Sequence, residues 1–159
     1  MADEVRAVPP QALAALLHLE QHALAAPTLA ALGFIVANET QALVAYRQAA
    51  VFGLGANGRF RMTTASGLVS VTEDSPFAVW LNRFAQSFPV GPGCHRLDFC
   101  DASPAFAEGW QEWLPDHLLV VPLRAAGGKP AGLVMYAREA PWQDAELALL
   151  ERLHLAYGY

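Results

Sequence analysis

The segment from Leu32 to Leu54, LGFIVANETQALVAYRQAAVFGL, decides the fold because a helical pattern ends within it and a strand pattern begins. Its first half spaces apolar residues three, four and seven apart, as on one helical stripe. That stripe consists of Leu32, Ile35, Val36 and Leu43. From Tyr46 the period changes to two. One strand face is predicted to hold Tyr46, Gln48, Ala50, Phe52 and Leu54, and the other Arg47, Ala49 and Val51. A helix that leads directly into a strand predicts an α+β or α/β core.

A second helix is predicted before this segment. Pro9 and Pro10 precede about 15 residues of helical pattern, since proline suits a first helical turn. The predicted apolar stripe of this helix, residues 12–24, is Leu13, Leu16, Leu17 and Leu24. Two N-terminal helices therefore lead into the first strand.

A β-hairpin is predicted after the first strand. Gly55 to Gly58 is a turn sequence, and the run from Arg59 to Thr64 alternates as the second strand. Strand character resumes from Leu68 to Thr72. The hairpin is expected to bury one face.

A second pair of strands is predicted near the C-terminus. The run from Leu118 to Leu123, LLVVPL, is apolar throughout, which is typical of a strand buried on both faces. Pro122 removes a ladder donor and predicts a bulge or an unpaired side. After a turn at 126–130, Ala131 to Arg138 is the predicted partner strand.

Three further helices complete the prediction. Asp74 or Ser75 can cap a helix that starts at Pro76, and Ser103-Pro104 is a similar helix start. Apolar residues at helical spacing follow each of them. Residues 89–101 between these two helices lack periodicity and are predicted to be a long connection. Residues 142–157 form the predicted closing helix, with Leu147, Leu150, Leu153 and Tyr157 on one stripe.

Composition restricts the class of protein. The chain has 159 residues, 54% hydrophobic and 16% charged, which indicates one folded domain. Its net charge is −5 and its basic residues are scattered along the sequence, so nucleic acid and anionic membranes are not expected partners. No signal peptide or membrane-spanning run is evident. Two cysteines are too few for a disulfide scaffold, so a cytoplasmic location is expected.

The order of elements resembles the GAF domain, a sensing and dimerising module. The most similar stretch is the strand Leu118 to Arg124, a GG turn, the strand GLVMYARE and the helix PWQDAELALLERLHLAY. The resemblance covers nearly the whole chain. It implies one domain over residues 1–159, with an antiparallel sheet of five to six strands flanked by helices. Two N-terminal helices and one C-terminal helix are expected to pack together.

A narrower resemblance lies in NETQALVAYRQAAVF (38–52), SPFAVWL (75–81), LPDHLLVVPL (114–123) and REAPWQDAELALLERLHLAYG (138–158). Together these are similar to the cytoplasmic GAF-like segment that precedes the membrane anchor in some bacterial HlyD-type membrane-fusion adaptor proteins. This resemblance implies a fragment of a longer secretion or efflux adaptor, placed at the cytoplasmic face of the inner membrane.

The expected function is sensory or regulatory and non-enzymatic, with an unidentified small molecule as the candidate partner. Apolar side chains with a few polar anchors are typical of a ligand pocket. The candidate pocket residues are Phe60, Met62, Trp80, Cys94, His95, Arg96, Trp110 and Trp113. For the aromatic residues, ordinary core packing is the alternative.

The alternative function is a ligand-free interaction module. In this hypothesis the terminal helices of two copies pack as a four-helix bundle and form a homodimer. The candidate interface residues are Leu13, Leu16, Leu17, Leu24, Leu149 and Leu153.

Metal, cofactor and thiol chemistry are not expected. His18 and His22 have chelating spacing, but HLEQH lacks the HExxH glutamate and no third ligand is near in sequence. Cys94-His95 resembles the bilin-carrying pair of phytochrome-like GAF domains, without the surrounding pocket pattern. Cys94 and Cys100 suggest a thiol enzyme similar to the free-methionine-sulfoxide reductases, but their spacing is not CxxC. Nucleotide-binding, nucleophile-elbow, EF-hand and NKFDE motifs are absent from the sequence.

Overall fold

The computed structural model describes residues 10–66, 75–87, 94–101, 103–124 and 130–157. Its α-helices are α1 (Pro10–Leu24), α2 (Leu29–Phe34), α3 (Pro76–Ala85), α4 (Pro104–Trp113) and α5 (Asp144–Tyr157). A π-helical segment (Ile35–Glu39) and a short 3₁₀ turn (Thr40–Ala42) continue α2, and a second 3₁₀ turn spans Phe99–Asp101. No helix among these residues is long and apolar enough to cross a membrane.

The described strands form one antiparallel sheet. They are β1 (Gln48–Leu54), β2 (Phe60–Ala65), β3 (His95–Asp98), β4 (His117–Arg124) and β5 (Pro130–Arg138). Their order across the sheet is β2-β1-β5-β4-β3. The central strands β1, β5 and β4 pair over most of their lengths, with Val51 opposite Val134 and Val134 opposite Val121. The predicted α+β fold with an antiparallel sheet flanked by helices is confirmed.

Both faces of the sheet are buried. On the face that we call the α1/α5 face, Val51, Val121 and Tyr136 pack with residues of α1, the π-helical segment and α5. On the opposite α3/α4 face, Phe52 and Val120 pack with residues of α3 and α4. This explains why β4 reads as an unbroken apolar run, because successive side chains alternate between two cores.

Glycine permits two tight features of the sheet. In the β1–β2 hairpin, Gly58 has a φ of +77°, a backbone conformation that L side chains rarely adopt. In β5, a Cβ on Gly132 would lie 2.1 Å from the carbonyl oxygen of Phe52, so only glycine lets β5 approach β1 this closely.

The junction between the helical segment that ends at Ala42 and strand β1 differs from the prediction. The strand begins at Gln48 rather than Tyr46. Tyr46 lies on the α1/α5 face with Ala49 and Val51, and its hydroxyl donates to the carbonyl of Ala37 at 2.6 Å. The assignment of Tyr46 to the face of Ala50 was therefore wrong, because the side chain turns back to bind the π-helical segment before the strand alternation starts.

The stripe predicted for α1 was correct at Leu16 and wrong at its other three residues. The buried residues of this helix are Leu16, Leu19 and Ala23, at the three- and four-residue spacing of a core-facing stripe. Leu13, Leu17 and Leu24 are exposed. Leucine content alone misled the prediction, because Ala23 completes the buried stripe and Leu24 lies outside it.

The start of α3 follows a local sequence rule. Ser75 caps α3, and its hydroxyl accepts a hydrogen bond from the amide of Ala78 at 3.2 Å, with Pro76 in the first turn.

Pro122 lies opposite Leu133, beyond the four residues of β4 that pair with β3, and the ladder becomes irregular between Leu123 and Arg124. Of the two predicted alternatives, the unpaired side therefore describes Pro122 among the described residues, and the irregularity falls after Leu123.

The predicted connection 89–101 contains a strand that the sequence did not reveal. β3 is only four residues long, and its sequence HRLD is too short and too mixed to show alternation. The predicted strand 68–72 and residues 126–129 of the predicted turn 126–130 lie outside the described residues, and Pro130 already belongs to β5.

Candidate functional site

Aromatic rings pack tightly on the α3/α4 face. The ring of Phe84 lies 4.9 Å from that of Trp80, 5.1 Å from Phe106 and 5.6 Å from Trp110, measured between centroids. The indole N–H of Trp110 donates to the carbonyl of Pro115 at 2.7 Å. These rings fix α3 and α4 against the sheet.

Most of the predicted pocket residues on this face belong to that packing. Phe60, Met62 and Trp110 are buried in the core of the α3/α4 face, and Trp80 is half-buried against it. Trp113 is half-buried, with its ring 5.5 Å from that of Phe77. The core alternative considered for the aromatic residues describes these contacts.

The polar residues of the predicted pocket divide between the two faces. His95 lies opposite Val120, a residue of the α3/α4 face, whereas Arg96 lies opposite Leu119, a residue of the α1/α5 face. Directly opposed residues of an antiparallel pair point to the same side. Arg96 donates to the carbonyl of Trp142 at 3.1 Å and pairs with Asp144 at 3.0 Å. The structure therefore does not bring the predicted pocket residues into one site.

Cys94 also belongs to the α1/α5 face. Its sulfur lies 3.7 Å from a carboxylate oxygen of Glu151 in α5. Burial, together with the negative charge and hydrogen bond of Glu151, raises the pKa of the Cys94 thiol to about 12. A thiol with this pKa is protonated at neutral pH and is a poor nucleophile.

The two cysteines lie too far apart to form a disulfide bond with each other. Cys94 precedes β3 and Cys100 follows it, so an extended strand of four residues, roughly 13 Å long, separates them. A disulfide requires Cα atoms within about 7 Å. Their geometry thus lacks what paired thiol chemistry needs.

A different groove lies between the β1–β2 hairpin and α3, and we call it the arginine groove. Two side chains of α3 hold it to β2. Asn82 accepts from the amide of Met62 at 2.7 Å, and Gln86 accepts from the amide of Phe60 at 2.9 Å and donates to the carbonyl of the same residue. These amide side chains, one helical turn apart, bond the outer edge of β2 much as another strand would.

The arginine groove is rich in hydrogen-bond donors. It encloses about 710 Å³ and is lined by Gly55, Ala56, Asn57, Arg59, Phe60, Arg61, Asn82, Arg83 and Gln86. All nine lining residues are described, and none of them carries a carboxylate. The three arginines are exposed on the molecular surface. In a chain of net charge −5, this groove is a local concentration of positive charge.

The structure also brings Glu39 to the two histidines of α1. One potential ligand atom from each of His18, His22 and Glu39 lies within 4.8 Å of the others. Nδ1 of His22 is 2.8 Å from a carboxylate oxygen of Glu39. The sequence separates Glu39 from His22 by 17 residues, so neither spacing nor motif revealed this cluster.

The described residues form a small antiparallel sheet with helices packed on both faces. The sequence model of the GAF domain matches residues 28–154. The chain therefore belongs to the GAF domain family. No curated protein matches the sequence significantly.

Solved structures share this fold. The phycocyanobilin-bound GAF domain from a cyanobacterial phytochrome is 12% identical, with a TM-score of 0.67 over 94% of this chain and 93% of that one. The GAF domain of an Acinetobacter phosphoenolpyruvate-protein phosphotransferase is 15% identical, with a TM-score of 0.65 over 94% and 92%. A domain of a two-component sensor histidine kinase protein from Sinorhizobium meliloti 1021 is 19% identical, with a TM-score of 0.58 over 73% and 78%. At these identities the similarity concerns the fold.

The arginine groove was missed because its charges come from distant parts of the sequence. Arg59 and Arg61 stand two apart in the hairpin, but Arg83 lies more than 20 residues later. The available signal was the pair Asn82 and Gln86, polar residues four apart near the C-terminal end of a mostly apolar helix. This pair indicates a polar helix edge, but it does not identify the strand that the edge contacts.

Proposed function

We propose that this GAF domain is a non-enzymatic regulatory module that binds a small anionic molecule in the arginine groove. The observation that carries the proposal is the presence of three arginines, Arg59, Arg61 and Arg83, around one groove. Guanidinium groups present planar donor pairs that match carboxylates and phosphates. The groove volume lies in the range of small-molecule sites.

The proposed regulation follows from how the groove is built. Asn82 and Gln86 join α3 to the backbone of β2, while Arg83 lies between them in the same helix. An anion held by Arg83 and the hairpin arginines would favour the arrangement in which α3 stays against β2. A ligand that prefers one arrangement shifts the population toward it, which is the physical basis of a sensory domain.

A non-catalytic role is supported by the thiols. Cys94 is shielded by burial and by Glu151, and Cys100 lies across β3 from it. We therefore expect no covalent chromophore attachment at Cys94 and no thiol-dependent reduction of methionine sulfoxide.

The proposal is tested by calorimetric titration of inorganic pyrophosphate, citrate and adenosine monophosphate into the purified domain. We expect saturable binding of at least one anion with a Kd of about 1 mM or tighter. The Arg83→Gln variant should bind the same anion at least about tenfold more weakly. Arg47→Gln is the matched control, because Arg47 is exposed and pairs with Glu139 away from the groove. Equal binding by the two variants, or no saturable binding of any anion, would contradict the proposal.

The protein context is a separate part of the proposal. We infer from the narrower sequence resemblance that the domain serves an HlyD-type membrane-fusion adaptor and regulates it from the cytoplasmic side. The segments that carry this resemblance cover most of β1, the start of α3, nearly all of β4, and α5. Reading the complete coding sequence tests the inference, which requires a membrane anchor and an adaptor region in the same reading frame. A kinase or phosphotransferase domain in that frame would overturn it.

Dimerisation through α1 is the second candidate function, and one observation favours it. Leu13, Leu17 and Leu24 are exposed and fall on one narrow stripe of α1. The predicted interface needs correction at Leu16 and Leu153, which lie in the core of their own chain, and Leu149 is partly buried against the same core. Light scattering tests this candidate. A dimer that Leu17→Glu dissociates supports it, and a monomeric wild-type domain contradicts it.

A further inference from the structure

We propose that His18, His22 and Glu39 form a binding site for a divalent transition-metal ion such as Zn²⁺. Two imidazoles and one carboxylate are a ligand set that zinc uses in proteins, with a water completing the tetrahedron. The three residues form the one cluster of this kind among the described residues. The proposal is independent of the arginine groove, which lies on other elements.

The helix presents both histidines on the same side. His18 and His22 are one turn apart in α1, and their ring centroids lie 5.7 Å apart with an interplanar angle of 45°. Zinc–nitrogen bonds of about 2.0–2.1 Å place tetrahedral ligand atoms about 3.3 Å from one another. The ligand atoms here lie within 4.8 Å. Rotation of exposed side chains is sufficient to close this difference.

The carboxylate comes from a backbone that is held in place. Glu39 is the last residue of the π-helical segment. Two hydrogen bonds hold this segment in place. The hydroxyl of Tyr46 donates to the carbonyl of Ala37 at 2.6 Å, and the hydroxyl of Thr40 donates to the carbonyl of Val36 at 2.9 Å. Single-turn π-helical insertions occur frequently at functional sites. The segment therefore offers Glu39 to α1 from a fixed position.

The donor set selects the class of metal. Imidazole nitrogen suits zinc, copper and nickel, whereas calcium and magnesium prefer oxygen ligands alone. His22 and Glu39 share a hydrogen bond at 2.8 Å, and a bound metal would replace that contact. A bound ion would then join α1, which carries the exposed leucine stripe, to the segment that leads into β1.

The test uses the 159-residue domain with Cys100→Ser, which removes the exposed thiol as a competing ligand, after treatment with a chelator. We expect calorimetry to show one equivalent of Zn²⁺ bound with a Kd of about 10 µM or tighter. His18→Gln and Glu39→Gln should each weaken this affinity by at least about tenfold. His95→Gln is the matched control, because His95 lies on β3 outside the cluster.

Circular dichroism of the metal-free variants shows whether they remain folded, and exposed positions such as His18 are not expected to affect folding. Zinc binding that is weaker than about 100 µM would overturn the proposal. It would also be overturned if His18→Gln or Glu39→Gln bound zinc as tightly as His95→Gln. The Glu39 variant is decisive, since two histidines on one helix do not require a third ligand to bind zinc weakly.

Discussion

The hydroxyl of Tyr136 lies 2.9 Å from Nε2 of His154, and this contact joins the central strand β5 to the closing helix α5. The ring of Tyr136 is also 5.1 Å from that of Tyr46, whose hydroxyl holds the π-helical segment. These contacts connect β5 to α5 and, through Tyr46, to the π-helical segment, all on the α1/α5 face. Protonation of His154 should therefore weaken the packing of α5 on the sheet.

Acid should destabilise the domain through His154. Burial lowers the pKa of His154 from 6.5 to about 3. Between these two pH values the unfolded state binds a proton that the folded state does not, so stability is highest above pH 6.5 and falls as the pH is lowered toward 3. His154→Gln should therefore reduce the loss of unfolding free energy between pH 7 and 5.5 by about 1 kcal/mol.

Urea titrations at the two pH values measure this effect, with His95→Gln as a control at a half-exposed position. A wild-type domain whose stability changes no more than that of His154→Gln would contradict the buried, neutral state of His154.

Substitution of Arg138 by lysine should destabilise the domain. Its guanidinium pairs with both carboxylate oxygens of Glu146, donates to the carbonyls of Ala45, Ala140 and Pro141, and lies 3.9 Å from the ring centroid of Trp142. Lysine lacks the planar fork that reaches these acceptors together. We expect Arg138→Lys to lower the free energy of unfolding by about 2 kcal/mol.

Arg47→Lys provides the comparison for this measurement, because Arg47 and Glu139 form an exposed pair. Such pairs contribute little, so this variant should stay within about 0.5 kcal/mol of wild type in chemical denaturation. Similar losses for the two variants would show that Arg138 has no special structural role.

Glu146 should contribute to acid sensitivity at lower pH than His154. Burial alone raises the pKa of Glu146, but the hydrogen bond from Arg138, the amide of Gln143 and the charge of Arg138 outweigh burial and hold this pKa below 4.5. Stability from this carboxylate is present above pH 4.5 and is lost as the pH falls through its folded pKa. Glu146→Gln should remove this contribution, and unchanged denaturation below pH 4.5 would count against it.

Gly109 should be intolerant of a side chain. A Cβ at this position would lie 1.9 Å from Nε1 of Trp80, whose ring stacks on Phe84. Gly109→Ala gains about 1 kcal/mol of helix propensity, but the forced displacement of the indole should cost more, for a net loss of about 1–2 kcal/mol. In a Trp80→Ala background the same substitution should become stabilising. A double-mutant cycle without coupling would contradict this contact.

The two thiols should differ in reactivity. Because the pKa of Cys94 is about 12, its thiolate fraction at pH 8 is roughly one in ten thousand, whereas Cys100 is exposed. Iodoacetamide should modify Cys94→Ser protein much faster than Cys100→Ser protein, as followed by mass spectrometry. Glu151→Gln should accelerate Cys94 only modestly, since burial is the larger cause of the raised pKa. Equal rates for the two cysteines would restore the thiol-enzyme alternative.

The architecture could be predicted because it depends on local patterns. The apolar run of β4, the hairpin turn ending at Gly58 and the Ser75-Pro76 helix start are each encoded within a few neighbouring residues. The short edge strand β3 was missed because its four residues mix polar and apolar types and show no clear alternation. The buried stripe of α1 was mispredicted because one of its members, Ala23, is a weak apolar signal.

The candidate sites depend on contacts that local patterns do not encode. Arg83 reaches the hairpin only because α3 crosses the outer edge of β2, and Glu39 reaches His22 only because α1 packs along the π-helical segment. The predicted pocket failed to assemble for the same reason. Alternation along β3 sends His95 and Arg96 to opposite faces of the sheet, although they are adjacent in sequence.

Mapping of amide chemical shifts during titration with the anion that binds most tightly locates the bound ligand. We expect the largest shifts in residues 55–61 and 82–86, around the arginine groove, and we expect these shifts to disappear in Arg83→Gln. Largest shifts at the indole groups of Trp80, Trp110 and Trp113 would place the ligand among the aromatic rings instead and would show that the arginine groove is not the binding site.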